Sequence, residues 1–245
     1  MADETLTDEE FWMEFKNLLF AEEKLESSKE EIEKIIDLAD LEAGMKVLDM
    51  PCGVGRHSIE LQKKGFEVVG VDKTTDYIED AKAEDESGNI EFIREDMKDF
   101  GRENSFDVVI NWWNSFGYFE DREDDRQMLE NIHTSLKDRG VLVMDYYGKE
   151  IAAMRDLSHH WSEQDGIYNM EKARPKNNWK KVENTWIKVE NGETAEYTWE
   201  QRLYAASELE QMLKQVGFSE VDFYGNVEGE DFDDEADRLI VLAKK

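Results

Sequence analysis

The residues best placed for chemistry lie in Val47-Leu-Asp-Met-Pro-Cys-Gly-Val-Gly-Arg-His-Ser58. An apolar run leads to Asp49, and a Gly-x-Gly turn, Gly53 and Gly55, follows just before a helical pattern. Glycines let the backbone turn tightly and approach a ligand, and the helix start beyond them offers unpaired amide groups. A nucleotide-like ligand suits such a turn. Two details oppose a dinucleotide: Ser58 stands at the third glycine position of G-x-G-x-x-G, and Asp49 sits at the strand tip. A carboxylate facing a pyrophosphate is repelled by roughly 1 to 4 kcal/mol at 4 Å, for effective dielectrics of 80 to 20. A ligand carrying an ammonium and a sulfonium is attracted instead. S-adenosylmethionine has both, and a carboxylate for the amides.

Further polar residues recur at expected strand ends. Asp72 ends Val68-Val-Gly-Val-Asp72, where its carboxylate could take both hydroxyls of a ribose. Asp96-Met97 follows the next strand-like run, a polar acceptor for an adenine amino group beside an apolar surface for its ring. Asn111 ends the run after that, near the expected methionine portion. Ligands of open α/β sheets bind beyond the carboxyl ends of the strands, and all four positions fall there.

These residues need elements to hold them. KVLDM (46–50), FEVVGVD (66–72), IEFIRE (90–95), FDVVINW (106–112) and GVLVMDYY (140–147) read as strands, with helical patterns near 56–64, 77–83 and 122–136 between them. The alternation argues for a parallel sheet covered on both faces. Two helical stretches precede it. Thr7-Asp-Glu-Glu10 has the capping-box form ahead of Phe11, Trp12, Phe15, Leu18 and Leu19. Ser28-Lys-Glu-Glu31 repeats the signal before Ile32, Ile35 and Ile36, and Gly44 closes that region. The rhythm breaks between 155 and 204, where Asn191-Gly192 joins two strand-like runs as a hairpin. Ala195, Tyr197, Trp199 and Leu203 give the second run one apolar face. A helix at 207–217 and strands at 219–225 and 238–244 complete the sheet, around an acidic loop at 228–237. The expected organisation is a helical cover over 1–43, a cofactor-binding core over 44–154 and 205–245, and an inserted β flap over 155–204.

Composition limits the partners. Sixty acidic residues against 30 basic ones give a formal net charge of −30 over 245 residues. Nucleic-acid affinity rests on Lys and Arg displacing counterions, so this balance argues against phosphate backbones and against anionic membranes. It leaves two readings open, an ordinary acidic surface or adaptation to high salt. A single cysteine, Cys52, excludes a disulfide framework. Four histidines without an HExxH spacing give no metal site. The acidic start lacks a signal-peptide core and no apolar run approaches a membrane span, so a cytoplasmic protein is expected.

The ordered series VLDMPCGVG, VVGVD and REDM, with FDVVINWWNSFGYF and RLYAASELEQMLKQVGF, resembles the small-molecule branch of the class I S-adenosylmethionine-dependent methyltransferases. The resemblance runs from about residue 10 to the end. It implies a Rossmann-like sheet of seven strands with the last antiparallel, and the cofactor over its C-terminal edge. By the same resemblance Asp49 and the backbone at Cys52, Gly53 and Gly55 hold the methionine end. Asp72 takes the ribose, Asp96 and Met97 the adenine, with Lys73 beside it. Arg56 is open to two readings, the cofactor's carboxylate or a surface salt bridge.

Methyl transfer needs an acceptor lone pair about 3 Å from the methyl, in line with the sulfur–carbon bond, in a space that excludes water. Trp112, Tyr118, Tyr146, Tyr147, Trp12, Phe20 and Trp199 are the expected lining of that space, with only one of the adjacent tyrosines facing it. The chain reads Asn-Trp-Trp-Asn at 111–114, not the Asn/Asp-Pro-Pro-Tyr/Phe of many base and amide methyltransferases. A small, partly apolar or amine-bearing acceptor is therefore expected, with no catalytic base assigned. Two alternatives stay open at this stage: a sensor that binds the cofactor without turnover, and a nicotinamide-dependent oxidoreductase.

Overall fold

A computed structural model describes residues 9–155, 157, 159–164 and 166–245. Helices α1 (Glu9–Glu14), α2 (Lys16–Leu19) and α3 (Glu22–Ala39) lead to strand β1 (Lys46–Asp49). Helix α4 (Arg56–Lys63), β2 (Glu67–Asp72), α5 (Thr75–Glu84), β3 (Glu91–Arg94) and β4 (Phe106–Asn111) follow. Then come α6 (Arg122–Ser135), β5 (Leu136–Tyr146) and α7 (Lys149–Met154). Strands β6 (His159–Gln164), β7 (Ile167–Lys176), β8 (Lys181–Glu190) and β9 (Glu193–Arg202) form a separate sheet. Helix α8 (Ala206–Val216), β10 (Glu220–Tyr224) and β11 (Leu239–Lys244) finish the chain.

The main sheet has seven strands in the order β10-β11-β5-β4-β1-β2-β3. Strands β1 to β5 pair in parallel, and β11 runs antiparallel to both β5 and β10, as the resemblance implies. Strands β1, β2, β4 and β11 are almost wholly buried, as strands covered on both faces must be. One core cluster, with Met128, Leu129, Leu209 and Leu213, packs α6 and α8 on one face. A second, with Ile32, Ile35, Leu61 and Ile78, packs α3, α4 and α5 on the other. The strand order reverses direction at β1, which lies between β2 and β4. Such a switch point leaves a crevice at the carboxyl ends of the strands, here at Asp49 and Asn111.

The second sheet is antiparallel throughout, in the order β6-β7-β8-β9. Its last turn is Asn191-Gly192 with φ of 51° and 83°, closing Glu190 onto Glu193. Two positive φ angles in succession suit the right-handed twist of the flanking strands.

Three local expectations change. Ser28 does not start a helix; it lies buried inside α3, because the helix already propagates from Glu22. Gly44 does not end α3 either. Asp40 does so in the left-handed conformation (φ 51°), and Gly44 instead turns the chain into β1, its amide donating to the Gly65 carbonyl. Strand β5 begins at Leu136, before Gly140, through an irregular register against β4. The capping signal at Thr7 and Asp8 lies outside the described residues. No helix among the described residues is long and apolar enough to cross a membrane.

Candidate functional site

Beyond β1 the chain turns through Gly53 (φ 54°) and Gly55 (φ 79°). A Cβ on Gly55 would stand 2.9 Å from both Ala81 Cβ and Phe92 Cζ, and one on Gly53 would stand 2.9 Å from Phe20 Cζ. Only glycine meets both the backbone angle and the space. The turn is tied to the ends of β4 and β2. The Met50 amide donates to the Ile110 carbonyl, and the Cys52 amide to the Val71 carbonyl. The Gly53 amide donates to Asp72 Oδ2 at 2.9 Å. Asp72 Oδ1 accepts from the Thr74 amide, also at 2.9 Å, so this side chain fixes the turn as well as closing β2.

The cradle is rich in acceptors. Asp49 is buried, and its Oδ2 accepts from Ser58 Oγ at 2.6 Å. Burial pushes the Asp49 carboxyl up, while His57, Ser58 and Arg56 pull it back; Asp72 beside it adds to the rise. Burial likewise raises Asp72 against the two amides that bond it. Two desolvated carboxylates at neighbouring strand tips demand a cation or hydrogen-bond donors from whatever enters. Asn111, fully buried, donates from Nδ2 to the carbonyls of Met50 (2.9 Å) and Ser115 (3.3 Å), and its Oδ1 has no partner among the described residues. This set of groups fits the ammonium and hydroxyls of S-adenosylmethionine and opposes a diphosphate.

Burial also pushes the Cys52 thiol well above its ordinary value, with Asp49 and Asp72 adding to the rise, which removes it as a nucleophile. Asp96 makes a local turn, its Oδ1 accepting from the Lys98 amide at 2.9 Å. Met97 is half-buried against the first core cluster, and Lys73 is half-buried with its carbonyl held by Arg94 Nε.

A bracket behind the turn was not expected from the sequence. His57 Nε2 meets Glu31 Oε2 at 2.6 Å, and Trp113 Nε1 donates to the same oxygen at 3.2 Å. Burial works to raise the Glu31 carboxyl, but the bonds from His57 and Trp113 prevail and hold it below its ordinary value. The Arg56 guanidinium lies 4.2 Å from the centre of the Trp113 ring, and burial lowers its pKa against the pull of Glu31 and Asp49. The signal that reads as a helix cap at Glu31 is thus part of this bracket.

Across the crevice lies an aromatic lobe. Phe11, Phe15 and Trp199 are buried together, with Trp12, Tyr118, Trp186 and Tyr197 packed around them. Trp12 meets Tyr118 edge-on at 6.4 Å, and Phe11 meets Trp199 at 4.9 Å. The Tyr77 hydroxyl donates to the Trp12 carbonyl at 2.5 Å, and Tyr77 meets the Phe20 ring at 5.0 Å, so α1 and α2 span from lobe to cradle.

The loop after β4 is stitched to the end of β9. Gln201 Nε2 donates to the Phe116 carbonyl (2.9 Å), and the Arg202 amide to the Gly117 carbonyl (2.7 Å). Arg202 Nε donates to Asp125 Oδ2 at 2.9 Å, and the Tyr204 hydroxyl to the same oxygen at 2.7 Å. Burial pushes the Asp125 carboxyl up to about 6, with Tyr204 and Arg202 opposing it. Asn114 Oδ1 accepts from the Tyr147 amide at 2.9 Å.

Trp12, Tyr118 and Trp199 are therefore brought into one cluster and Phe20 lies against Tyr77 and the Gly53 turn, while two other expected lining residues are in neither place. Trp112 is buried in the second core cluster with Ile110 and Val143. Tyr146 is fully buried in the first, its hydroxyl donating to the Arg202 carbonyl and accepting from the Tyr204 amide. Both occupy strand-end positions whose side chains turn into the layers beside the sheet. Tyr147 is half-buried under Arg155, 5.4 Å from its ring centre. The sequence also gave no warning of Trp186, Phe11 and Phe15 as lobe partners or of Arg202 and Asp125 as its seam.

Comparison with known proteins agrees with this geometry. The family described as a methyltransferase domain matches residues 41–217. YqeM of Bacillus subtilis (strain 168), named as a methyltransferase, is 29% identical over 180 residues, covering 71% of this chain and 73% of that one. A glycine/sarcosine N-methyltransferase of Aphanothece halophytica is 25% identical over 206 residues, covering 82% of this chain and 76% of that one. Among solved structures, an S-adenosylmethionine-dependent methyltransferase from Clostridium acetobutylicum ATCC 824 superposes with a TM-score of 0.77 at 18% identity, covering 96% of this chain and 97% of that one. With the family matched over most of its length and the fold shared throughout, this chain belongs to the methyltransferase-domain family, as a class I S-adenosylmethionine-dependent methyltransferase.

Proposed function

We propose that the protein transfers the methyl group of S-adenosylmethionine to the nitrogen of a small amine. The observation that carries this reading is the acceptor-rich crevice at the switch point: buried Asp49 and Asp72, with an Asn111 Oδ1 that has no partner among the described residues. Asp49, Asn111 and the backbone from Cys52 to Gly55 hold the methionine end. Asp72 keeps lone pairs for the ribose hydroxyls after bonding its two amides. Lys73, Asp96 and Met97 flank the adenine. An amine acceptor is supported by the glycine/sarcosine relative and by the aromatic faces beside the crevice, which attract cations.

Bound S-adenosylmethionine supplies an electrophilic methyl on a positively charged sulfur. The chain's own contribution is to orient and to exclude water. The carboxylates fix the donor end, and the packed rings of Trp12, Tyr118 and Trp199 give the acceptor an apolar wall to lie against. The nitrogen must arrive with its lone pair free, and its surplus proton leaves to solvent after transfer. No side chain is needed as a covalent partner, consistent with the raised Cys52 thiol.

The net charge of −30 disfavours a nucleic-acid acceptor, and a cytoplasmic setting agrees with a single buried cysteine. The test is release of S-adenosylhomocysteine with a panel of primary and secondary amines. Turnover of at least one amine, rising with pH as the amine deprotonates, is the expected result. Tight cofactor binding without turnover of any amine, phenol or carboxylate would replace catalysis with sensing.

A further inference from the structure

The aromatic lobe holds two hydrogen-bond donors without a partner among the described residues. Trp199 is 6% exposed, and its Nε1 is buried without a hydrogen-bond partner among the described residues. An indole N–H can only donate, so burial costs free energy unless an acceptor arrives. Tyr118 packs against the same cluster, with an edge-on contact to Trp12 and no hydrogen bond for its hydroxyl among the described residues. Both side chains sit beside the 112–118 loop, Trp199 two residues before the Gln201 that bonds it.

The cations around this lobe are committed elsewhere. Lys188 pairs with Glu14 and Glu190, Lys16 with Asp80, and Arg202 with Asp125. Arg56 stacks on Trp113 on the cradle side. The two donors without a partner, Trp199 Nε1 and the Tyr118 hydroxyl, are neutral. A carboxylate buried against neutral donors keeps much of its desolvation cost, whereas a hydroxyl, ether or amide oxygen needs only one or two such bonds.

We propose that Trp199 Nε1 and the Tyr118 hydroxyl bind an uncharged oxygen of the acceptor, so that this enzyme selects amines bearing a hydroxyl, ether or amide over free amino carboxylates. The inference rests on the methyltransferase reading above and narrows its substrate class. It separates this chain from a relative whose substrates, glycine and sarcosine, carry a carboxylate.

The test follows the indole N–H resonances of isotopically labelled protein saturated with S-adenosylhomocysteine, the Trp199 signal being assigned by its loss in Trp199→Phe. Glycinamide and glycine are the probes, the same amine with a neutral or a charged neighbour. Glycinamide should shift the Trp199 resonance at a concentration about tenfold below that of glycine, the discrimination of one neutral hydrogen bond. In Trp199→Phe and in Tyr118→Phe the preference, read from the remaining indole signals, should fall towards one. Equal response to the two probes, or no response of Trp199 to glycinamide in the nucleoside-saturated protein, overturns the inference and leaves the cofactor reading standing. Failure of the nucleoside itself to bind overturns both.

Discussion

The glycine cradle and the aromatic lobe flank one crevice, yet they are held by different kinds of contact. The cradle is fixed by backbone: amides of Met50, Cys52 and Gly53 donate to groups on the two strands that flank β1, and glycines meet what a Cβ could not. The lobe is fixed by side chains from distant parts of the chain. Lys188 Nζ bonds the Glu14 carbonyl across 174 positions, and Arg202 reaches Asp125 across 77. A turn held by its own sheet is rigid before any ligand binds. A lobe assembled from α1, the 112–120 loop and β9 can vary its lining without disturbing the sheet, which is where a family sharing one cofactor would diverge in acceptor.

The comparison breaks most visibly at Gly55. Gly55→Val places side-chain atoms against Ala81 and Phe92 at a positive φ, and should weaken S-adenosylmethionine binding by about 100-fold or more. Calorimetry on protein shown to be folded by circular dichroism measures this. Retained affinity would mean that the turn is not the binding element.

On the other side, Arg202→Gln strips the fully buried Asp125 of its charge partner and unpicks the seam to the 112–120 loop. Breaking a buried pair in this way costs about 3 kcal/mol. A fall of several degrees in melting temperature is expected, with a larger rise in acceptor KM than loss of cofactor affinity. Equal loss of both would merge the two regions into one mechanical unit.

A milder change, Asp72→Ala, removes the expected ribose contact and the support of the Gly53 amide together. It should cost about 1 to 3 kcal/mol of cofactor affinity and leave the melting curve less affected than Arg202→Gln does.

How legible were these regions beforehand? Asp49, Gly53, Gly55, Asp72 and Asn111 stand where strand patterns end, and an open sheet places strand ends together, so sequence order alone gathered them. The strand periodicity and Asn191-Gly192 likewise gave the main sheet and the hairpin. The lobe was only half readable. Trp12, Tyr118 and Trp199 fall in one cluster, but Trp112 and Tyr146 turn into core layers, because an aromatic at a strand end signals bulk without saying which side it faces. The pairing of Glu31 with His57 was not readable, since Glu31 reads as a helix cap and the contact depends on how α3 lies on α4.

The smallest effect is a pH dependence in the lobe. Asp125, pushed up to about 6 by burial, binds a proton more readily folded than unfolded. Its contribution to stability is thus full below its unfolded pKa and is lost as pH rises through about 6. Relative to Asp125→Asn, the parent protein should gain stability as pH falls from about 7 to 4. Melting curves across that window check the sign, and a parallel pair of curves would remove Asp125 as a titrating group.

The central claim is that a buried carboxylate at the tip of β1 selects a positively charged methyl donor. Calorimetric titration of the parent protein and Asp49→Asn with S-adenosylmethionine, and with uncharged methylthioadenosine as reference, tests it most directly. The account predicts that Asp49→Asn binds S-adenosylmethionine about 10- to 100-fold more weakly, with little change for the neutral nucleoside. Unaltered affinity for S-adenosylmethionine, or an equal loss for both ligands, would contradict it.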